Sequence, residues 1–472
     1  MIGIDKTVDL NRILKLFNFG ILFLLWYSYL EDGDTTYVNF NTVLLGTLLS
    51  FQIGVFLYFE KKRRDPFVIL LCLQMVFYFL LRIYTLHEYS FSVVFLRYPF
   101  FVQDLNYSLF FILIANCVFY LGLSINCLKF QSKNEILNFL PKHRSNILVL
   151  LAIGYFFTFY RQIGLGSLAG IIDVLNGTFL NIATILLMVL VYFFLFRNKL
   201  SKSIKLFIIL GVLIFVVLQT LIGSRSAILT LLNFLLFSIL AIKNYLVVKR
   251  KYLSFFLFLA PLMILIFSVT TFLRLRVEER STVGEQTIEV IKEFDIESDF
   301  LDSIDLVLMG VGDRIGFLDY CAEIINNNEE YSTVFNAQFY FKSTIDNVLS
   351  PGFDVFDTPK TSNALRFIYN KEGEPKKSKV AEAYQSDEFT MYGEFYALFG
   401  KWFSLIPIFF TGFIFKWIYL RLKKDNIYLF YLKRAFVLYV FWIMLNSFGI
   451  DWLFLDIFSI FFTYQIFKGL LR

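Results

Sequence analysis

Five arginines stand where ordinary packing has no use for them. Arg161 closes an apolar stretch in Tyr160-Arg161-Gln162-Ile163-Gly164, and Arg225 sits in Gly223-Ser224-Arg225-Ser226 between two such stretches. Arg82 lies near the end of a third stretch, and Arg274 and Arg276 leave a fourth. A guanidinium stays charged when partly buried and makes paired hydrogen bonds to phosphate oxygens. Arg161 and Arg225, both at Gly-bearing turns, are the first candidates for holding a phosphate. Arg274, Arg276 and Arg82 are further candidates. The plainer alternative for any one of them is a side chain that snorkels to lipid headgroups or pairs with a carboxylate.

A carboxylate completes the set. In Thr390-Met391-Tyr392-Gly393-Glu394, a polar segment passes into an apolar one, which places Glu394 a few residues above an apolar helix. Partial desolvation there favours the proton-bound form and suits a general base. An acid in the first turn of a helix also complements the macrodipole, with no chemistry required.

The elements that position these residues follow from composition. Of 472 residues 58% are hydrophobic and only 17% charged, against about 45–50% and about 25% in soluble domains. That excludes an ordinary soluble enzyme, and the 61 Phe and 27 Tyr exclude disorder. The reading is an all-α polytopic membrane protein. About 20 apolar residues cross a bilayer, and this rule predicts twelve spans, near 13–30, 41–59, 67–86, 107–127, 147–163, 177–196, 206–222, 226–242, 253–272, 396–419, 428–446 and 452–468. The first is expected to be an uncleaved span rather than a signal peptide, because no small-residue cleavage site follows it.

Lys and Arg crowd alternate loops: 60–65, 133–144, 197–205, 249–251 and 421–424. The other short loops, around 31–34, 87–106, 164–176 and 449–451, contain no lysine. The +6 net charge therefore reflects the positive-inside rule and not nucleic-acid binding. Twelve spans with this alternation put both termini in the cytoplasm. They divide the chain into membrane helices over 1–272, a large external loop over 273–395 and three last spans over 396–472. Helical periodicity over 300–325 and 331–348 predicts a folded external cap, with turns at Ser350-Pro351-Gly352 and Asp357-Thr358-Pro359.

Other patterns carry little. The four cysteines form no C-x-x-C, and two histidines are too few for a His-rich metal site. Gly164–Gly170 follows a membrane helix rather than a strand, so it is no nucleotide loop. Asp302 and Asp305 lack a third calcium ligand. His87 reads as an interface residue.

The layout resembles the Wzy-type O-antigen polymerases, the oligosaccharide repeat unit polymerases. The resemblance rests on about a dozen spans, the mid-chain Gly223-Ser224-Arg225 turn, and a large late external loop ending in Gly393-Glu394-Phe395-Tyr396-Ala397-Leu398-Phe399-Gly400. It implies a fold like that of C-type membrane glycosyltransferases and a site in the bacterial inner membrane. The implied reaction joins undecaprenyl-diphosphate-linked oligosaccharides at the periplasmic face, with no metal, nucleotide or other cofactor. The implied partners are the lipid-linked donor and acceptor, membrane lipid and a chain-length-regulating co-polymerase. In that reading Arg161 and Arg225 neutralise the departing pyrophosphate, Glu394 takes the acceptor proton, and Tyr384, Tyr392 and Tyr396 stack on sugars. Aromatic belts at this depth give those tyrosines a simpler use.

Three other readings stay open. An O-antigen ligase is expected to carry a histidine base in the large loop, and residues 273–395 contain none. A flippase or transporter is expected to carry charges within its spans. A non-catalytic partner protein fits the sequence as well.

Overall fold

The computed structural model describes residues 7–63, 65–89, 102–125, 182–221, 226–244, 247–249, 316–349, 355–369, 390–422, 427–446 and 449–471, with isolated positions between 149 and 156. Among the described residues the regular structure is helical apart from one small ribbon, which the sequence reading did not anticipate. In it β1 (Thr7–Asp9) pairs antiparallel with β2 (Val247–Lys249).

Among the described residues seven helices precede the cap: α1 (Leu10–Asp32), α2 (Phe40–Arg63), α3 (Pro66–Tyr89), α4 (Val102–Ile125), α5 (Ile182–Phe196), α6 (Lys202–Leu221) and α7 (Ser226–Lys243). Asp9 caps α1 by accepting from Asn11 N at 3.0 Å, and Asp65 caps α3 from Phe67 N at 3.0 Å. The middle of α3, Met75–Leu80, winds as a π-helix. That inserts an extra residue and re-phases everything after it, Arg82 included.

The cap contributes α8 (Phe317–Asn326), α9 (Asn328–Val334), α10 (Ala337–Thr344, continued as a π-turn to Leu349) and α11 (Thr361–Tyr369). Then come α12 (Met391–Phe399), α13 (Leu405–Arg421), α14 (Ile427–Asn446) and α15 (Ile450–Leu471).

Among the described residues five helices are long and apolar enough to cross a membrane: Asn11–Asp32, Phe40–Glu60, Pro66–Tyr89, Val102–Ile125 and Ile427–Asn446. Shorter apolar helices cover Thr184–Phe196, Thr230–Lys243 and Leu453–Ile466. The expected span at 253–272 and nearly all of that at 147–163 lie outside the described residues. The expected span at 396–419 is divided. Gly400 takes a positive φ of +72 degrees, as Gly33 does at +74, a conformation that only glycine adopts without strain. It ends α12, and α13 starts at Leu405.

The packing is that of membrane helices. At the α4–α13 crossing, a Cβ on Gly412 would lie 2.7 Å from Phe119 O, and one on Gly122 would meet Phe409 O. Only hydrogen at both positions lets the backbones approach this closely. Leu25, Phe67, Phe79, Phe119, Phe237 and Phe441 belong to one continuous core, while Tyr331, Phe335, Phe339, Leu365 and Ile368 form a separate core in the cap.

Contacts sort the loops into two ends. At one end Lys416 pairs with Asp65, Tyr419 Oη donates to Asn244 Oδ1 at 3.0 Å, and Arg434 Nη1 donates to Ala241 O at 3.1 Å. The other end gathers the 33–39 loop, the end of α3, the start of α4, the start of α15 and the cap. There His87 is held by Ser28 Oγ and Gly33 O, each at 3.0 Å, and Thr42 Oγ1 donates to Asn106 Oδ1 at 2.7 Å. His87 is a packed hydrogen-bonding residue. Among the described residues the lysine-rich loop at 60–65 lies at the first end, and the lysine-free loops at 31–34 and 449–451 lie at the second.

Candidate functional site

The cap meets the membrane helices across a layer of buried carboxylates. Asp319, Asp346 and Glu394 are fully buried, and Asp451 is 1% exposed. A buried carboxylate needs donors or a cation, and each finds a different solution.

Asp319, on α8, meets Arg82 of α3. Arg82 Nε donates to Oδ1 at 3.0 Å and Nη2 to Oδ2 at 2.5 Å, a two-pronged pair with the guanidinium 1% exposed. Tyr37, from the loop between α1 and α2, stands in the field of this pair. Burial first, then the Asp319 charge, push its phenol up to about 12, against a smaller downward pull from Arg82.

Asp346 is held by backbone amides. Its Oδ1 accepts from Val355 N at 2.9 Å and Phe356 N at 3.1 Å, and its Oδ2 from Thr358 N at 2.9 Å. It organises the turn that the sequence predicts at Asp357-Thr358-Pro359. Asp451, at the head of α15, is held by the cap. Ser343 Oγ donates to it at 2.8 Å, Thr361 N at 2.9 Å and Thr361 Oγ1 at 2.7 Å.

Glu394 lies on α12. Thr390 caps that helix by accepting from Gly393 N at 3.1 Å, which starts the helix just before the carboxylate. The rest of α12 is buried from Met391 to Ala397, wedged between the cap and the membrane helices. Tyr340, from α10, is buried close enough for the Glu394 charge to act on its phenol. Burial first, then the charges of Glu394 and Asp451, push the Tyr340 phenol well above its ordinary range, so it stays a proton donor.

The other residues singled out from the sequence fall as follows. Arg161, Arg225, Arg274, Arg276 and Tyr384 lie outside the described residues. Arg82 is at the cap end of α3, engaged with Asp319. Tyr392 is fully buried and its Oη donates to Asn116 Oδ1 at 2.5 Å, deep in α4. Asn116 in turn donates to Gln52 Oε1 at 3.4 Å, so this tyrosine ends a polar chain within the bundle. Tyr396 is 5% exposed, with its ring edge-on to Phe111 at 5.0 Å. Neither tyrosine presents an open face.

Sequence reasoning missed Tyr340, Asp319 and Asp451. Asp319 and Asp451 carried a signal, as acids among apolar residues. Tyr340 carried only its spacing from Ser343 and Asn347.

Chemically, the junction offers a desolvated carboxylate, a group suited to accepting a proton. Burial pushes the Cys321 thiol up to about 12, which leaves no thiolate for nucleophilic work. Among the described residues no group of three or more His, Cys, Asp or Glu side chains is placed to hold a metal ion. Comparison of the chain with family models, with curated proteins and with solved structures finds no match.

Proposed function

We propose that this chain is a glycosyltransferase of the bacterial inner membrane that polymerises undecaprenyl-diphosphate-linked oligosaccharide repeat units. In this reading twelve spans put both termini in the cytoplasm and the cap in the periplasm. The observation that carries it is Glu394. It stands in the Gly393–Gly400 element that resembles the repeat unit polymerases, and it is fully buried where a folded cap meets the membrane helices.

In the reaction, an acceptor hydroxyl attacks the anomeric carbon of the donor sugar. The new glycosidic C–O bond forms as the bond from that carbon to the diphosphate breaks, and the diphosphate leaves with the electron pair. Glu394 takes the hydroxyl proton. Diphosphate is already a good leaving group, so the protein has to stabilise developing negative charge rather than protonate a poor one. Arg161 and Arg225 are assigned that role, with Arg274 and Arg276 behind them. Arg82 is assigned to holding the cap, because Asp319 already takes its paired donors.

Deleting the gene in its native strain and separating surface glycans by electrophoresis tests this reading. The expected result is glycan capped by a single repeat unit. Loss of all surface glycan, with long polymer left on the lipid carrier, would indicate a ligase. Loss of surface glycan with unit-length lipid-linked sugar retained inside would indicate a transporter.

A further inference from the structure

We infer that Tyr392 is the positioning residue for Glu394. It pins α12 as a re-entrant helix whose first turn lies near the middle of the bilayer, so the carboxylate works below the outer membrane surface. This rests on the glycosyl-transfer reading of Glu394.

Three contacts run along α4 in register. Lys401 Nζ lies 4.9 Å from the centre of the Tyr107 ring, the Tyr396 ring meets Phe111 at 5.0 Å, and Tyr392 Oη donates to Asn116 Oδ1 at 2.5 Å. As the chain is followed back from Lys401 to Tyr392, its partners descend α4 from Tyr107 to Asn116. α12 is therefore antiparallel to α4, and its first turn reaches the middle of that helix. α3 gives the same level. The Tyr392 ring stands 6.0 Å from Phe79, and the ring of Phe317, at the start of α8, stands 4.6 Å from Tyr78. Both partners belong to the π-helical middle of α3, so α8 and α12 enter the bundle together. Glu394 lies between the levels of Phe111 and Asn116, about 10 Å below Tyr107 at the helical rise per residue.

A helix that begins inside a membrane needs its first amides satisfied by protein. Thr390, 1% exposed, accepts from Gly393 N at 3.1 Å. A Cβ on Gly393 would lie 3.1 Å from Ile324 Cδ1, so α8 packs directly on the backbone of α12. Tyr392 and Tyr396, one turn apart on one face, lie against α4. The hydrogen bond of Tyr392 adds direction to that packing, and its acceptor is itself fixed. Asn116 Nδ2 donates to Gln52 Oε1 at 3.4 Å, and Gln52 Nε2 donates to Leu113 O at 2.8 Å. The foot of α12 is thus tied to both α4 and α2.

Glu394, two residues on from Tyr392, falls on the side of α12 away from α4. Its place beside a substrate is set by the height and rotation of the helix, which Tyr392 fixes. A foot freed from Asn116 lets the helix slide or turn, and misplacement of a reacting group by about 1 Å costs about 100-fold. Tyr392 itself makes and breaks no bond. The depth suits the donor, whose anomeric carbon is bonded to a lipid diphosphate, so the acceptor hydroxyl has to be brought down to the membrane to meet it.

The test compares wild type, Tyr392→Phe, Asn116→Leu, the double variant and Glu394→Gln, each purified and reconstituted in vesicles. The substrate is the polyprenyl-diphosphate-linked glycan that accumulates in the gene-deleted strain. Phe keeps the ring and its packing on Phe79, and Leu keeps the size of Asn. Each single change on the Tyr392–Asn116 bond is expected to lower kcat about 10–100-fold, with KM for the lipid-linked glycan unchanged. The double variant is expected to fall no further, because both changes cut one bond. A benzoylphenylalanine placed at position 392 is expected to crosslink on irradiation to the α4 peptide that holds Asn116. A normal kcat in Tyr392→Phe, beside an inactive Glu394→Gln, overturns the role of Tyr392 and leaves the base in place. Losses that multiply in the double variant, or crosslinks to the Tyr107 end of α4, also overturn it. If Tyr392→Phe does not accumulate, Asn116→Leu reads the same bond, and failure of both makes the bond a folding contact and ends the proposal. A normal rate in Glu394→Gln removes the glycosyl-transfer reading of that carboxylate, and this inference with it.

Discussion

Cells carrying Glu394→Gln are expected to display surface glycan of a single repeat unit, with the protein inserted and present at the wild-type level. The amide keeps the size of the carboxylate, so α12 keeps its place between the cap and the membrane helices. What it loses is the ability to take a proton. General-base help contributes about 10²–10⁴-fold to such reactions, and a loss of that size removes the ladder of longer chains. The competing account makes Glu394 only an acid in the first turn of α12, where neutralisation costs about 0.3–1 kcal/mol. That change leaves the ladder intact. Electrophoresis of surface glycan, with immunoblotting of the protein, separates the two.

The second large effect concerns Arg82. Asp319→Ala strands a guanidinium that is 1% exposed, and breaking a buried pair from one side costs about 3–5 kcal/mol. Whole domains are stable by only about 5–15 kcal/mol, so this variant is expected to lose its cap packing, seen as rapid proteolysis of the 316–369 region. Replacing both partners, Arg82→Met with Asp319→Leu, removes the stranded charge and is expected to recover most of the stability. Glycan made by the double variant then decides what Arg82 does. Long chains identify an anchor for the cap. A stable protein without long chains returns Arg82 to the pyrophosphate site.

Much of the arrangement was readable from residue types. The periodic stretches 300–325 and 331–348 overlap α8 and α9 and contain α10, but α9 begins at Asn328, between the two stretches. Glu394 was singled out as the acid where a polar stretch turns apolar, and it is fully buried there. The break at Gly400 was not, since Phe395-Tyr396-Ala397-Leu398-Phe399-Gly400-Lys401-Trp402-Phe403 reads as the continuous start of a span. Only the left-handed φ at Gly400 divides it. Arg82 was singled out near the end of its apolar stretch, but its partner Asp319 lies 237 positions along the chain, and no local pattern couples residues so far apart. Tyr392 and Tyr396 illustrate a different limit. A buried tyrosine and one that stacks on a sugar look alike in a sequence, and only packing against Asn116 and Phe111 distinguishes them.

The most direct measurement of the central claim is chain growth by the purified protein alone. Wild-type protein would be reconstituted in lipid vesicles with polyprenyl-diphosphate-linked glycan extracted from the gene-deleted strain, without added nucleotide or metal. The account predicts products that differ by one repeat unit, with one polyprenyl diphosphate released for each bond formed. Glycan that stays at unit length, while the same protein moves it across the bilayer, would contradict it.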